Sequence, residues 1–144
     1  MKSIRVAVNK FKDIPQDVFR KSAKELLNKV IDRTPVDTGL LVNSWIPTLR
    51  RPSKRIIKTT DKTRKKAKQR VEKVVDQVPV HGGMFFTNNQ PYSVIIEMGR
   101  KEGPPASGSH QAPAGMMRIS AAEWESIVKR NLRDRPVRIR GRKR

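Results

Sequence analysis

The chain has 144 residues, the length of a single domain, and it contains no cysteine. It has 33 Lys and Arg against 13 Asp and Glu, a formal net charge of +20, and only 35% of its residues are hydrophobic. This composition excludes disulfides, thiolate metal sites and cysteine nucleophiles, and the charge predicts a partner surface or polymer that is negatively charged.

The first predicted elements are a strand and a long helix. Residues 3–8 alternate between two sides, with Ile4, Val6 and Val8 on one of them, which is the period of a half-buried strand. Residues 15–33 carry apolar side chains at three-to-four spacing, between prolines at positions 15 and 35. We therefore predict an amphipathic helix over 15–33.

A turn and a second strand follow the helix. Residues 34–39 (TPVDTG) contain the proline, aspartate and glycine that turns require. The next segment, 40–49, is predicted to hold a short strand in which Val42, Ser44 and Ile46 share one face. Trp45 then lies on the other face as a large apolar anchor.

Residues 50–73 are densely basic. Within this run, Ala67, Val71, Val74, Val75 and Val78 recur at helical spacing, so 62–77 is predicted to be an amphipathic helix with a cationic outer face. Two interpretations of that face stay open. It is either a solvated helix surface or a contact with phosphate or an acidic protein.

The next predicted elements are short. Residues 84–87 form a predicted buried strand that ends at Asn88 and Asn89. For residues 92–98 the bracketing Pro91 and Gly99 favour a helix, whereas the Val-Ile-Ile run favours a strand, and we lean towards the helix.

Three segments complete the chain. Residues 100–114 are rich in Gly and Pro and predict a long mobile loop. Residues 120–123 match a capping box, which predicts a helix that starts there and ends near 131–133. The basic residues 134–144 predict a disordered tail.

Together these elements predict an α+β fold with one domain over 1–133 and a flexible basic tail over 134–144. A small mixed sheet of short strands packs against the long N-terminal helix, the basic amphipathic helix and the C-terminal helix. No apolar run reaches signal-peptide or membrane-spanning length, so we expect synthesis in a cytoplasm and no contact with a membrane.

Little in the sequence points to catalysis. His81 and His110 are the only histidines, no metal-ligand spacing or phosphate-binding glycine loop occurs, and no nucleophile elbow is present. We therefore expect neither an enzyme nor a cofactor. A sequence-nonspecific nucleic-acid-binding protein is the alternative that the basic residues support, through backbone contacts rather than base stacking.

Three motifs stand out against this background: TPVDTG at 34–39 with NSW at 43–45, TNNQPY at 87–92 with EMG at 97–99, and QAPAGMMR at 111–118. In order and approximate spacing they resemble the conserved blocks of the tail-completion, or neck, proteins of tailed bacteriophages. The resemblance extends from about residue 15 to residue 128.

The resemblance implies a structural virion protein that completes the head-proximal end of the tail and joins it to the head connector. It implies a homo-oligomeric ring, with a hexamer favoured and a dodecamer as the alternative. Its neighbours would be the head connector and the tail terminator or tail tube proteins. The chain would be found in the virion, and in the host cytoplasm during assembly.

The motif residues become the candidate subunit and assembly contacts: Asp37, Thr38, Gly39, Asn88, Asn89, Pro91, Tyr92, Glu97, Gly99, Gln111, Ala112, Pro113, Ala114, Gly115 and Met116. The alternative, that these residues only form turns within the chain, stays open. Tyr92 and Glu97 are expected to brace the loops by hydrogen bonds, while Trp45 and Trp124 are expected to fill the core.

In a ring of such basic subunits, cationic faces must point at DNA, at acidic neighbours or into salt. Genomic DNA has to pass the neck, so we expect contacts with DNA or an acidic partner at Lys62, Lys65, Lys66, Arg138, Arg140, Arg142, Lys143 and Arg144.

Overall fold

The computed structural model describes residues 14–136. The elements in that range are α1 (Gln16–Arg33), α2 (Leu40–Asn43), β1 (Trp45–Thr48), α3 (Lys65–Val75), β2 (Phe85–Asn88), α4 (Ser93–Glu97), α5 (Met117–Ala121) and α6 (Trp124–Arg133). The fold is α+β, as predicted. The strand predicted at 3–8 and tail residues 137–144 lie outside the described residues. None of the described helices combines the length and apolar character needed to cross a membrane.

Helix α1 is the centre of the domain, and it confirms the helix predicted over 15–33. Its apolar stripe is completely buried at Leu26, Leu27, Val30 and Ile31 because α3, α5 and α6 all pack against it. Carbonyl groups at its C-terminal end are capped by a side chain that is distant in sequence. The guanidinium of Arg64 donates to two carbonyl oxygens there, those of Ile31 and Thr34, each at 3.1 Å.

The segment after the turn differs from the prediction. Residues 40–43 form a single helical turn, and the strand starts only at Trp45, so Val42, Ser44 and Ile46 do not share one strand face. Side-chain hydrogen bonds explain the error. Asn43 Nδ2 donates to the carbonyl of Gly39 at 2.7 Å, and Ser44 Oγ donates to the carbonyl four residues earlier at 2.6 Å. Both bonds stabilise a helical backbone where periodicity indicated a strand.

The sheet has two antiparallel strands within residues 14–136. In its register Trp45 pairs with Asn88 and Thr48 pairs with Phe85. Strand β2 begins and ends one residue later than the strand predicted at 84–87. Trp45 stacks on Phe86 with ring centroids 4.8 Å apart, and its indole N–H donates to the Thr34 hydroxyl at 2.8 Å. Trp45 is therefore a core residue, as predicted. Trp124 is also buried, packed edge to face against a ring of α1.

The predicted capping box at 120–123 is wrong. Ser120 belongs to α5 and donates its hydroxyl to the carbonyl of Met116 at 2.7 Å, while α6 begins only at Trp124. Arg33 of α1 binds both side chains of the predicted capping box. Its guanidinium donates to the Ser120 hydroxyl at 2.9 Å and to the Glu123 carboxylate at 2.7 Å. The predicted end of this helix, near 131–133, is confirmed.

The remaining predictions agree with the structure more closely. The basic helix occurs as α3, starting later than predicted because Asp61 accepts the Thr63 N–H in a turn before it, at 2.8 Å. The undecided segment 92–98 contains helix α4. Residues 100–114 contain no helix or named strand, but the loop is closed on itself, since the N–H of Arg100 donates to the carbonyl of Pro113 at 2.9 Å.

Candidate assembly surface and basic cleft

The TPVDTG turn packs tightly against its own chain. Gly39 adopts a φ of +88°, and a Cβ at this position would lie 2.1 Å from the carbonyl oxygen of Asp61. Asp37 and Thr38 are exposed on the outside of the turn. The N–H of Val36 donates to the side chain of Gln111 at 3.0 Å, so the turn also contacts the QAPAGMMR motif.

The TNNQPY motif holds an extended segment in place. Asn89 Nδ2 donates to the carbonyls of Ser53 at 2.7 Å and Arg55 at 3.0 Å. Gln90 Nε2 donates to the carbonyl of Ile57 at 3.0 Å. Residues 53–57 thus have backbone acceptors paired with side-chain amides instead of a neighbouring strand. The two amides determine where this basic segment runs.

Glu97 organises the QAPAGMMR motif. Its carboxylate accepts the backbone N–H groups of Met116 at 3.0 Å, Met117 at 2.8 Å and Arg118 at 2.8 Å, at the start of α5. Glu97 therefore braces this loop by hydrogen bonds, as predicted. The hydroxyl of Tyr92 makes no hydrogen bond to any described residue. Partial burial, followed by the negative charge of Asp37, raises the pKa of Tyr92.

The candidate assembly residues divide into three groups. Those buried inside the chain are Gly39, Gly99, Ala112, Gly115 and Met116. Those exposed are Asp37, Thr38, Pro91, Tyr92, Gln111, Pro113 and Ala114. Asn88, Asn89 and Glu97 are half-buried and bonded internally. The first and third sets form contacts within the chain, and only the exposed set is available to a neighbouring subunit.

An apolar row on α4 lies uncovered. Val94 is 66% exposed, Ile95 53% and Met98 56%. Val94 and Met98 of this row line a groove of 660 Å³, together with Trp45 and residues of α5. Its charged lining residues, Glu97 and Arg118, form an ion pair at 3.5 Å. The groove is therefore apolar and electrically balanced. The sequence did not indicate this exposure, because a Val-Ile-Ile run is typical of buried segments.

A second concave site is basic. A cleft of 420 Å³ lies between α3 and the extended segment 53–60. Helix α3 contributes Lys66, Arg70 and Lys73, whose spacing places them on one helix face, and the extended segment contributes Arg55 and the Thr59 hydroxyl. No described residue that lines the cleft carries a carboxylate.

Arg70 is a cation of the cleft whose side chain is fixed by hydrogen bonds to backbone carbonyls. Its Nη2 donates to the carbonyl of Asn43 at 2.7 Å, and the side chain is partly buried. Burial, followed by the positive charge of Arg55, lowers the pKa of Arg70. The buried Asn43 Oδ1 in the same lining has no hydrogen-bond partner among the described residues. The cleft thus holds unbalanced positive charge.

The candidate DNA-contacting residues are only partly brought together. Lys66 lines the cleft, 3.8 Å from the carboxylate of Asp61, whereas Lys62 and Lys65 are exposed outside its lining. The candidates Arg138, Arg140, Arg142, Lys143 and Arg144 lie outside the described residues. Arg55, Arg70 and Lys73 belong to the dense basic run of the sequence, but only the path of residues 53–60 shows that they converge.

The histidines stay apart from any such cluster. His81 and His110 are both exposed. Within residues 14–136, no three His, Asp or Glu side chains form a group suited to a metal ion. The expectation that the chain is not an enzyme stays a prediction.

Comparisons of the chain with protein-family models, with curated proteins and with solved structures found no match. The likeness to neck proteins is therefore confined to the three motifs, and membership of that family stays a prediction.

Proposed function

We propose that this chain is a structural virion protein that assembles into a ring at the head-proximal end of a phage tail. In this proposal it joins the tail to the head connector and performs no catalysis. The three motifs support the family, and the uncovered apolar row on α4 supports the assembly. That row is the observation on which the proposal mainly depends.

The occupant of the apolar row in this proposal is a second copy of the chain. Exposed apolar side chains gathered beside a groove are typical of protein interfaces, because covering them removes apolar surface from water. The exposed motif residues Pro91 and Tyr92 lie directly before α4 and would extend the contact surface.

Charge favours a second copy over an acidic partner at this surface. Subunits with a formal charge of +20 repel each other, so they approach most easily where the surface is balanced. The groove beside α4 meets that condition, because the Glu97 carboxylate is paired with Arg118. An acidic partner would instead be drawn to the cationic surfaces elsewhere on the molecule.

The oligomeric state of the purified chain tests the proposal. Mass photometry and negative-stain microscopy of the wild type should show a closed ring. Val94→Glu should dissociate it, because the new carboxylate would be buried without a partner in the contact. Val80→Glu is the matched control, since Val80 is also an exposed valine, at 62%, and lies outside the apolar row.

Two results would contradict the assembly. The proposed α4 contact would be wrong if the wild type stays monomeric at every concentration. It would also be wrong if the Val94→Glu variant assembles as well as Val80→Glu. The virion role has its own test. Mass spectrometry of purified phage particles should detect the polypeptide, and particles that lack it would overturn that role.

A further inference from the structure

We propose that the basic cleft between α3 and residues 53–60 binds the phosphate backbone of double-stranded DNA. Arg55, Lys66, Arg70 and Lys73 are the phosphate contacts. This inference does not depend on the ring, because every group in it belongs to one chain.

The geometry of the cleft fits a regular polyanion. Lys66 and Lys73 are separated by about 10 Å along α3 at the usual rise per residue. Measured along the duplex axis, one strand of DNA places about three phosphates in that distance. Arg55 faces this row from the opposite wall, so a phosphate backbone lying along the helix would be contacted from both sides.

The positive charge of the cleft favours binding of an anion. One other basic side chain of α3 has a close acidic partner, since Lys68 Nζ lies 2.7 Å from the carboxylate of Asp32. On the cleft face, within residues 14–136, only Lys66 has an acidic partner, the carboxylate of Asp61 at 3.8 Å. Burial and then the positive charge of Arg55 lower the pKa of Arg70, and an anion in the cleft between these two side chains would offset that repulsion.

The lining favours duplex backbone over two other ligands. Single-strand binding commonly uses aromatic side chains on which bases stack, and the described lining contains none. An acidic protein would present carboxylates at irregular positions, whereas the cations of α3 lie in a regular row. Arg70 donates from Nη2 to the Asn43 carbonyl and from Nε to the Lys66 carbonyl at 3.4 Å, which leaves its remaining N–H groups to donate to phosphate oxygens.

Fluorescence anisotropy with a short DNA duplex at a series of salt concentrations tests the site in the full chain. The test variant is Arg55→Gln with Lys73→Gln, and the side chains of both residues make no hydrogen bond or ion pair within residues 14–136. The matched control is Lys54→Gln with Lys58→Gln, which removes the same charge from neighbouring exposed positions outside the cleft lining.

We expect the test variant to lower the affinity for duplex at least tenfold at moderate salt. The slope of log K against log salt should fall by about 1.8, which is about 0.9 for each of two lost phosphate contacts. The control variant should stay within about twofold of the wild type, because its lysines contribute only to the general field. Circular dichroism melting checks that both variants are folded. If the double variant is not folded, Arg55→Gln and Lys73→Gln alone should each reduce the slope by about 0.9.

Three outcomes would overturn the site. Equal losses in the test and control variants would show that only total charge matters. Tighter binding to the single strand than to the duplex would exclude the backbone of a duplex as the ligand. Binding to polyglutamate that matches duplex in affinity and depends on Arg55 would assign the cleft to an acidic protein.

Discussion

Glu97 and Arg118 are joined by two reciprocal hydrogen bonds, in each of which the side chain of one residue bonds to the backbone of the other. The carboxylate of Glu97 accepts the backbone N–H of Arg118 at 2.8 Å, and the guanidinium of Arg118 donates to the backbone carbonyl of Glu97 at 2.7 Å. Each side chain thus satisfies a group at the end of the other residue's helix. The carboxylate at the start of α5 and the guanidinium at the end of α4 each interact favourably with the dipole of the helix whose end they contact.

Glu97→Ala should destabilise the fold by about 1–3 kcal/mol, because it leaves the N–H groups at the start of α5 without their acceptor. Urea unfolding measures the change in free energy of unfolding. Glu102→Ala serves as the control, since Glu102 forms an exposed ion pair with Arg100 at 3.0 Å in the loop and should contribute little. Equal losses for the two variants would contradict the bracing role of Glu97.

Gln90→Ala should destabilise the domain by about 1–3 kcal/mol, because Gln90 is buried and donates to the Ser44 hydroxyl at 2.8 Å and to the Ile57 carbonyl at 3.0 Å. Hydrogen exchange should become faster over residues 53–60. Gln77→Ala is the control at an exposed glutamine and should stay within about 0.5 kcal/mol. Unchanged exchange in 53–60 would show that Gln90 does not hold the segment.

Gly39→Ala should destabilise the chain by more than about 1–2 kcal/mol, the amount for the left-handed conformation alone. The added Cβ would also meet the Asp61 carbonyl oxygen at 2.1 Å, so the turn or residues 61–62 must shift. Gly83→Ala is the matched control, because nothing lies within 4 Å of a Cβ there. Thermal melting distinguishes them, and a stable Gly39→Ala variant would contradict the close contact.

The ion pairs of Glu123 predict a pH dependence of stability. Hydrogen bonds from Arg33 and then Lys29 lower the pKa of Glu123 below its ordinary value of 4.5. Because the folded pKa is depressed, the stabilisation is fully present above 4.5 and is lost as the pH falls through the folded pKa. The carboxylate is partly exposed, so the contribution should be about 1 kcal/mol or less.

Melting temperatures of wild type and Glu123→Gln across acidic pH measure this contribution. The wild type should be more stable at neutral pH, and the difference should disappear in strong acid, where the carboxylate is protonated. A difference that stays constant from neutral to acidic pH would show that the ion pairs do not contribute through ionisation.

Sequence periodicity predicted the helices that pack by a continuous apolar stripe. The stripe of α1 and that of α3 recur every three to four residues, and burial of such a stripe needs no knowledge of a specific partner. The two tryptophans were placed correctly for the same reason. The two candidate binding surfaces were not found in this way, since exposure of α4 and convergence of Arg55 with Arg70 depend on how distant segments meet.

Local motifs were less reliable where side-chain hydrogen bonds, distant or local, compete for the same groups. Ser120 and Glu123 have the spacing of a capping box, but Arg33, far away in sequence, takes both side chains. Residues 40–49 were predicted to hold a strand, but Asn43 and Ser44 bond to backbone carbonyls and stabilise a helical turn over 40–43. In both places a few side-chain hydrogen bonds outweigh a weak local preference.

The sequence by itself determined the α+β class, the long helix and the basic helix with their buried faces, because these follow from the spacing of apolar side chains. Only the tertiary structure decided which motif residues are exposed and which cations share a cleft. The physical reason is that amides such as Asn89 and Gln90 hold the basic segment 53–57 through bonds between residues far apart in sequence. Such bonds have no periodic signature along the chain.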